Sequence, residues 1–286
     1  MPELPEVETI RRDLSRVLVG RRVKGLLVRK VNLLKNPRAL FAKQLVGATV
    51  TQVGRRAKVL CLTLSSGYVL LMHLKMTGQL VWQSPHGALK VGGHPIGGVN
   101  GVPNKFTYIT LELSDRAKLY FNDVRQFGYW RLVPLVDLPQ VLGHLGPEPL
   151  SPAFTIAALR GSLARRKRTS IKAALLDQTV VAGIGNIYAD ESLYTAKLKP
   201  SRRVGTLTKA ELAKLYQAIR HVLTAAVRAR GTSFNSYVDG LGRSGTYWEK
   251  RLVYGRTGQP CPRCQRPIKK TVVAGRGTHY CSFCQK

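Results

Sequence analysis

The chain predicts an α+β fold, with a β-rich N-terminal part followed by a helical part that ends in a zinc ribbon. Three observations carry this. Short apolar runs separated by turn residues fill the region 23–133, whereas apolar residues return at helical spacing after residue 151. Pro134, Pro139, Pro147, Pro149 and Pro152 punctuate the stretch between. Four of the five cysteines form two Cys-x-x-Cys pairs near the C-terminus. At 286 residues there is enough chain for two separate cores. The expected parts are a β-rich domain over 1–133, a connector over 134–150, a helical domain over 151–246 and a zinc-bearing hairpin over 247–286.

The elements follow in order. Val7, Ile10, Leu14, Val17 and Leu18 recur at helical spacing, with Arg11, Arg12 and Arg16 on other faces, and Gly20 ends that helix. Strands are expected over 58–64, 68–74, 106–113 and 118–121. Cys61 lies within one of them and reads as a buried strand residue. The Gly- and Pro-rich stretch 84–104 has no periodicity and is expected to be a surface loop. Ser151-Pro152 resembles an N-cap and first-turn pair opening a helix. Further helices are expected over 171–177, 187–196 and 209–230. The last starts with a Thr208…Glu211 capping box, carries Leu212, Leu215, Ile219, Leu223 and Ala226, and stops at Gly231.

Composition narrows the function classes. Lys plus Arg total 46 against 15 Asp plus Glu, a formal charge of +31, which implies a polyanionic partner, most simply nucleic acid. An apolar content of 44% argues against a disordered basic tail. The opening residues contain no secretory signal pattern, and no stretch approaches 18 consecutive apolar residues, so a cytoplasmic, nucleoid-associated protein without a membrane segment is expected. In a reducing compartment, Cys261, Cys264, Cys281 and Cys284, with 16 residues between the pairs, match a four-thiolate site for one structural Zn2+. Arg263, Arg266, Lys269 and Lys270 are near in sequence to offset the negative cluster.

The start, Met1-Pro2-Glu3-Leu4-Pro5-Glu6-Val7-Glu8, carries the chemistry. Removal of Met1 would make Pro2 a free secondary amine with carboxylates close behind. Such an amine forms a permanently charged iminium when it attacks a carbonyl-like carbon, an electron sink that labilises neighbouring bonds, with Glu3 or Glu6 placed to move protons. The alternative is structural, since proline followed by glutamates is ordinary first-turn helix chemistry.

Two further patterns suit phosphates. Arg160 to Lys172 contains six basic residues and no acid, and Gly183-Ile184-Gly185-Asn186 follows, where glycines before a helix let backbone amides approach a phosphate. In the zinc segment, two short strands over 268–274 and 278–281 are expected to meet at Gly275-Arg276-Gly277, with Arg276 at the tip of a narrow projection.

Taken together, the motifs resemble the bacterial formamidopyrimidine-DNA glycosylases nearly end to end. The matching residues are Pro2 to Glu8, Arg55-Arg56-Ala57-Lys58, His73-Leu74-Lys75-Met76-Thr77-Gly78, Asp123-Val124-Arg125-Gln126-Phe127-Gly128, Leu145-Gly146-Pro147-Glu148-Pro149, Gly183 to Tyr188, and Tyr254-Gly255-Arg256 ahead of the cysteines. The resemblance implies an N-terminal β-sandwich with flanking helices, a helix–two-turn–helix domain and a four-cysteine zinc-ribbon hairpin. It implies a monomer that acts on double-stranded DNA containing oxidised purines or abasic sites, and that flips and excises the damaged nucleotide. As an AP lyase it would break both flanking phosphodiester bonds by β and δ elimination. Pro2 would be the nucleophile, Glu3 the acid/base at the sugar ring oxygen, Glu6 a support of site and lesion, and Lys58 a phosphate contact beside the lesion. Met76, Arg125 and Phe127 would fill the void and wedge the stack. His73, Lys172, Asn186 and Arg276 would contact phosphates, and the segment 232–247 would close over the flipped base.

The chain departs from the family pattern in two places. The 84–104 segment is longer and ends in Asn104-Lys105-Phe106-Thr107 without the usual His-Asp, and Arg230-Gly231 replaces a double glycine. The sister endonuclease VIII-like branch, which removes oxidised pyrimidines, is the nearest rival. Leu4, Val7-Glu8, Arg125 and Phe127 favour the purine branch. A non-catalytic zinc-stabilised nucleic-acid-binding protein would fit charge and cysteines alone.

Overall fold

Residues 1–93, 101–232 and 245–286 are described by a computed structural model. They divide into two units, Met1–Gly143 with Ala229–Thr246, and His144–Arg228 with Tyr247–Lys286. The division falls inside the expected connector. The described residues 229–232 and 245–246, grouped by sequence with the helical part, sit in the first unit instead. The physical reason is local: Thr246 N–H donates to the Ala229 carbonyl at 3.0 Å, and Thr232 N–H donates to the Glu6 carboxylate at 2.7 Å.

In the first unit, α1 (Leu4–Leu18) precedes nine strands among the described residues. These are β1 (Val23–Val28), β2 (Val50–Arg56), β3 (Val59–Leu64), β4 (Tyr68–His73), β5 (Gly78–Gln83), β6 (Leu89–Gly93), β7 (Thr107–Leu113), β8 (Lys118–Asp123) and β9 (Tyr129–Pro134). Helix α2 (Arg38–Leu45) lies between β1 and β2, and α3 (Leu138–Leu142) follows β9. All strand pairs are antiparallel, in a five-stranded sheet ordered β1-β7-β8-β5-β6 and a four-stranded sheet ordered β2-β3-β4-β9. The sheets share one core with α1: Ile10 and Leu14 cluster with Leu60, Leu62 and Leu70 of one sheet and Leu80, Ile109 and Phe121 of the other. Strand β3 is apolar on both faces for a reason. Leu60, Leu62 and Leu64 face the main core, while Val59 and Cys61 pack on the other side against Leu138, Val141 and Leu142 at α3. Cys61 is thus a buried strand residue, as expected.

The 84–104 segment is not wholly a loop, because β6 pairs with β5 from Gln79↔Gly93 to Gln83↔Leu89. Its periodicity was hidden by Gly92 and Gly93. A β-carbon on Gly92 would fall 2.8 Å from Ile10 of α1, so the strand carries glycine where the helix crosses it. Residues 94–100 lie outside the described residues.

The second unit contains α4 (Ile156–Ala164), α5 (Ile171–Leu176), α6 (Asn186–Thr195), α7 (Lys209–Arg228), α8 (Tyr247–Lys250) and the hairpin β10 (Lys269–Val273)–β11 (Arg276–Tyr280). Ser151-Pro152 does not open a helix. Ser151 instead forms a turn on the Glu148 carbonyl, and Thr155 caps α4 by accepting from Ala158 N–H at 3.1 Å. The α7 capping box is formed at both ends, Thr208 N–H to Glu211 at 2.8 Å and Glu211 N–H to Thr208 at 3.2 Å. No helix among the described residues is long and apolar enough to cross a membrane.

Candidate active site and nucleic-acid interface

Pro2 lies outside α1. Glu3 is the N-cap, and it is Pro5 that occupies the first turn, so helix initiation accounts for Pro5 and leaves Pro2 without a helical role. Pro2 is buried, and Glu3 and Glu6 behind it are only 4% and 3% exposed. One Glu6 oxygen accepts the Glu3 backbone N–H at 2.8 Å and the other accepts Thr232 N–H at 2.7 Å. Its carboxylate is therefore aimed by backbone donors from two segments. Glu8, which sequence reasoning left without a role, anchors Arg11, Arg12 and Arg55 at 2.8–3.3 Å. Burial pushes its carboxyl up, but the Arg11 and Arg12 hydrogen bonds and the Arg55 charge outweigh that and hold it below the usual range.

Lys58 and His73 come together at one end of the four-stranded sheet, where Val59 pairs with His73 and His73 with Tyr129. Lys58 is buried. Lys75, in the left-handed region at φ +50°, donates its backbone N–H to His73 Nδ1 at 2.9 Å. That bond makes Nδ1 an acceptor and places the imidazole proton on Nε2. Burial, with the Lys75 and Lys58 charges, drives the His73 pKa from 6.5 down to about 3. The ring lies against Tyr129, whose face also meets Lys35 and Lys75 ammonium groups at 5.9 and 5.8 Å. Lys35, Lys75 and Tyr129 were missed by sequence reasoning. The cross-strand register brings Tyr129 to His73, and the Lys35 N–H bond to the Trp130 carbonyl at 2.8 Å brings Lys35 beside it.

Met76, Arg125 and Phe127 sit on the two turns β4–β5 and β8–β9. Met76 is 41% and Phe127 53% exposed, and the Arg125 guanidinium stacks over the Phe127 ring at 4.7 Å. The exposure is imposed by a clasp below them. Buried Asp123 accepts from the Thr77 hydroxyl and, at 2.7 Å, from Gly128 N–H, while Arg125 N–H donates to the Thr77 hydroxyl at 3.0 Å. A β-carbon on Gly128 would come within 2.6 Å of Phe121, so the turn can close only with glycine there. Two large apolar side chains are thereby held in water on rigid turns, which is the geometry a wedge requires.

The second unit corrects two expectations. Lys172 is fully buried: its ammonium lies 2.6 Å from Asp190, also fully buried, and donates to the Thr278 hydroxyl at 2.8 Å and the Gly277 carbonyl at 3.0 Å. It binds the hairpin to α5 and α6 and has no surface for a phosphate. Asn186, at the start of α6, donates its side-chain amide to the same Gly277 carbonyl at 3.0 Å, and Gly183 N–H is taken by Gln178 at 2.9 Å. The second correction concerns Arg276. The turn residues are Ala274 and Gly275, at φ +50° and +70°, a two-residue hairpin connection. Arg276 is therefore the exposed first residue of β11, not the tip. Its neighbour Gly277 is the carbonyl that Lys172 and Asn186 grip.

The four thiolates lie within 4.8 Å of one another, with Cys264–Cys281 at 3.5 Å and Cys261–Cys284 at 3.9 Å. Ligands about 2.3 Å from a tetrahedral zinc stand roughly 3.8 Å apart, so the set fits one Zn2+, whereas a disulfide would require about 2.05 Å. Cys261 and Cys281 are buried and the other two half-buried. Bound there, the metal supplies folding energy to the ribbon. The Tyr194 hydroxyl approaches Cys261 at 3.3 Å, while Arg263 stacks over the Tyr194 ring and donates to its carbonyl at 2.7 Å at the end of α6. Buried Glu191, also unforeseen, accepts the backbone N–H groups of Leu252, Val253 and Tyr254 at 2.8–2.9 Å, tying α6 to the segment that leads into the ribbon. The segment 232–247 expected to close over a flipped base lies outside the described residues between 233 and 244.

Comparison with known proteins gives three matches in succession along the chain. Residues 1–130 match the formamidopyrimidine-DNA glycosylase N-terminal domain, 145–237 the formamidopyrimidine-DNA glycosylase H2TH domain, and 258–286 the zinc finger found in FPG and IleRS. A formamidopyrimidine-DNA glycosylase of Desulforamulus reducens is 43% identical over 290 residues, covering 100% of this chain and 99% of the relative. The structure resembles a point mutant of Lactococcus lactis FPG in complex with Fapy-dG-containing DNA, with a TM-score of 0.88, 34% identity and full coverage of both chains. It also resembles Lactococcus lactis Fpg in complex with abasic-site DNA, with a TM-score of 0.86, 33% identity and 99% coverage of each. With three matched segments in family order and end-to-end similarity to such relatives, this chain belongs to the formamidopyrimidine-DNA glycosylase family.

Proposed function

We propose that this protein is a base-excision-repair enzyme that removes oxidised purines, formamidopyrimidines and 8-oxoguanine, from duplex DNA and then cleaves the strand through Pro2. One observation carries the Pro2 assignment: this residue stands buried ahead of the helix N-cap with two nearly inaccessible glutamates behind it. With Met1 removed, the Pro2 nitrogen attacks C1′ of the flipped nucleotide, and the glycosidic electron pair leaves with the base, which takes up a proton. The nitrogen loses its own proton. Glu3 protonates O4′, the ring opens, and the nitrogen lone pair forms the C1′ iminium. Loss of a C2′ proton into that sink expels the 3′ phosphate, and a second proton loss expels the 5′ phosphate. Hydrolysis then frees Pro2.

The other residues fall into supporting roles. Glu6 holds the site and the lesion, and Lys58 and neutral His73, through Nε2–H, bind phosphate near the reacting sugar. Met76 and Phe127 occupy the emptied stack, and Arg125 faces the orphaned base. Asn186 and Arg276 provide further backbone contacts from the zinc-stiffened unit. The enzyme acts as a monomer on chromosomal DNA in the cytoplasm.

Excision assays on duplexes carrying 8-oxoguanine, a formamidopyrimidine or thymine glycol test the substrate class. Faster release of the purine lesions is expected. A clear preference for thymine glycol would transfer the protein to the pyrimidine branch.

A further inference from the structure

Arg230 occupies the left-handed region at φ +59° and is followed by Gly231 at +85°. A β-carbon disfavours that region, and glycine alone enters it freely. Something must hold the arginine there. Its guanidinium Nη2 lies 2.5 Å from Asp13 Oδ2, and the Asp13 side chain is only 6% exposed. Asp13 is seven residues beyond Glu6 on α1, two turns along the same face. The strip that follows Arg230 is in turn pressed against Glu6. A β-carbon on Gly231 would sit 2.8 Å from Glu6 Oε1, and Thr232 N–H donates to that oxygen at 2.7 Å. The strip is closed from its other side by Thr246, which bridges Thr232 and donates to the Ala229 carbonyl.

We propose that the Asp13–Arg230 ion pair is a positioning device for Glu6, holding the Arg230 backbone in the left-handed conformation that aims Thr232 N–H at the Glu6 carboxylate. Arg230 is a positioning residue in this arrangement. It acts through Gly231 and Thr232, and Asp13 through Arg230. The inference rests on the reading of Glu6 as part of the catalytic group beside Pro2.

Two substitutions separate this from a purely stabilising ion pair. Arg230→Ala and Arg230→Gly both remove the guanidinium, but only alanine keeps the β-carbon that opposes a positive φ. Arg230→Ala is expected to slow single-turnover excision of 8-oxoguanine by about tenfold or more, in the range that a small misplacement costs, with DNA affinity unchanged. Arg230→Gly is expected to stay within about threefold of wild type, because glycine holds the conformation without an anchor. Asp13→Ala should be as slow as Arg230→Ala and be rescued by adding Arg230→Gly. This rescue is a result that a merely structural salt bridge would not give.

Equal rates for Arg230→Ala and wild type, or equal impairment of the alanine and glycine variants, would overturn the proposal. Should Asp13→Ala fail to fold, the pair of Arg230 variants still decides it. Glu6→Gln serves as the control. If it leaves excision unchanged, the reading of Glu6 falls and takes the proposal with it. If Glu6→Gln is slow while Arg230→Ala is wild type, the proposal alone fails.

Discussion

Phe127 and Phe121 are a few residues apart and have opposite fates. Phe121 is fully buried in the sandwich, whereas Phe127 stands 53% exposed with Arg125 stacked on its ring. Phe121→Ala should therefore cost about 3–5 kcal/mol of stability. Phe127→Ala should change stability by no more than about 0.5 kcal/mol and yet sharply reduce excision. Urea unfolding and lesion-excision assays on the two variants check this, and a destabilised Phe127→Ala would mean that the ring is core, not wedge. Met76 and Phe127 had no readable exposure in sequence, since apolar residues of this kind are ordinarily buried. The clasp that exposes them joins Thr77 to Asp123 across 46 residues, a separation no local pattern can report.

His73 offers a pH test. Its folded pKa, about 3, lies below the ordinary 6.5. The unfolded chain therefore binds more protons at this site between those values, so its contribution to stability is complete above about pH 6.5 and is lost as pH falls toward 3. Comparing urea unfolding of wild type and His73→Gln between pH 7 and about 4.5 should show a steeper loss in wild type, by up to ~1.4 kcal/mol per pH unit. Parallel curves would show an imidazole that titrates normally.

At the scale of elements, the β10–β11 hairpin is held by buried polar groups more than by apolar area. Lys172 of α5 and Asn186 of α6 grip the Gly277 carbonyl, and Asp190 accepts His279 N–H at 2.8 Å. The basic run up to Lys172 was legible as a run, but its last member turns inward, and charge in sequence carries no information about direction. Lys172→Met leaves Asp190 buried without its cation and should destabilise the second unit by about 3–5 kcal/mol. Lys172→Met/Asp190→Asn should recover part of that by removing the uncompensated charge while keeping an acceptor for His279. Thermal unfolding of the two variants decides. If Lys172→Met kept full stability and only weakened DNA binding, Lys172 would be a phosphate ligand after all. Other elements were readable because their signals are local: the β3 apolar run, the Thr208–Glu211 box and the paired cysteines all appear where spacing put them. β6 was not readable, because its glycines answer to α1, a distant packing partner.

For the whole molecule, a charge of +31 sets the expected response to salt. The logarithm of DNA affinity should fall linearly with the logarithm of salt concentration, with a slope of about −0.9 for each phosphate neutralised. Arg276→Ala should lower that slope by about one phosphate. A flat response in fluorescence-anisotropy titrations would mean that the basic surface is not the DNA footprint. Charge and cysteines announced a zinc-bearing nucleic-acid protein, but the same features suit a passive binder. The distinction lies in Pro2, which the fold leaves outside the helix that would otherwise explain it.

Borohydride reduction during turnover on 8-oxoguanine duplex, followed by mass spectrometry of the crosslinked peptide, reads that distinction directly. The deoxyribose remnant should be joined to the nitrogen of Pro2, on a chain lacking Met1. A crosslink on any lysine, or active enzyme that retains Met1, would contradict the account.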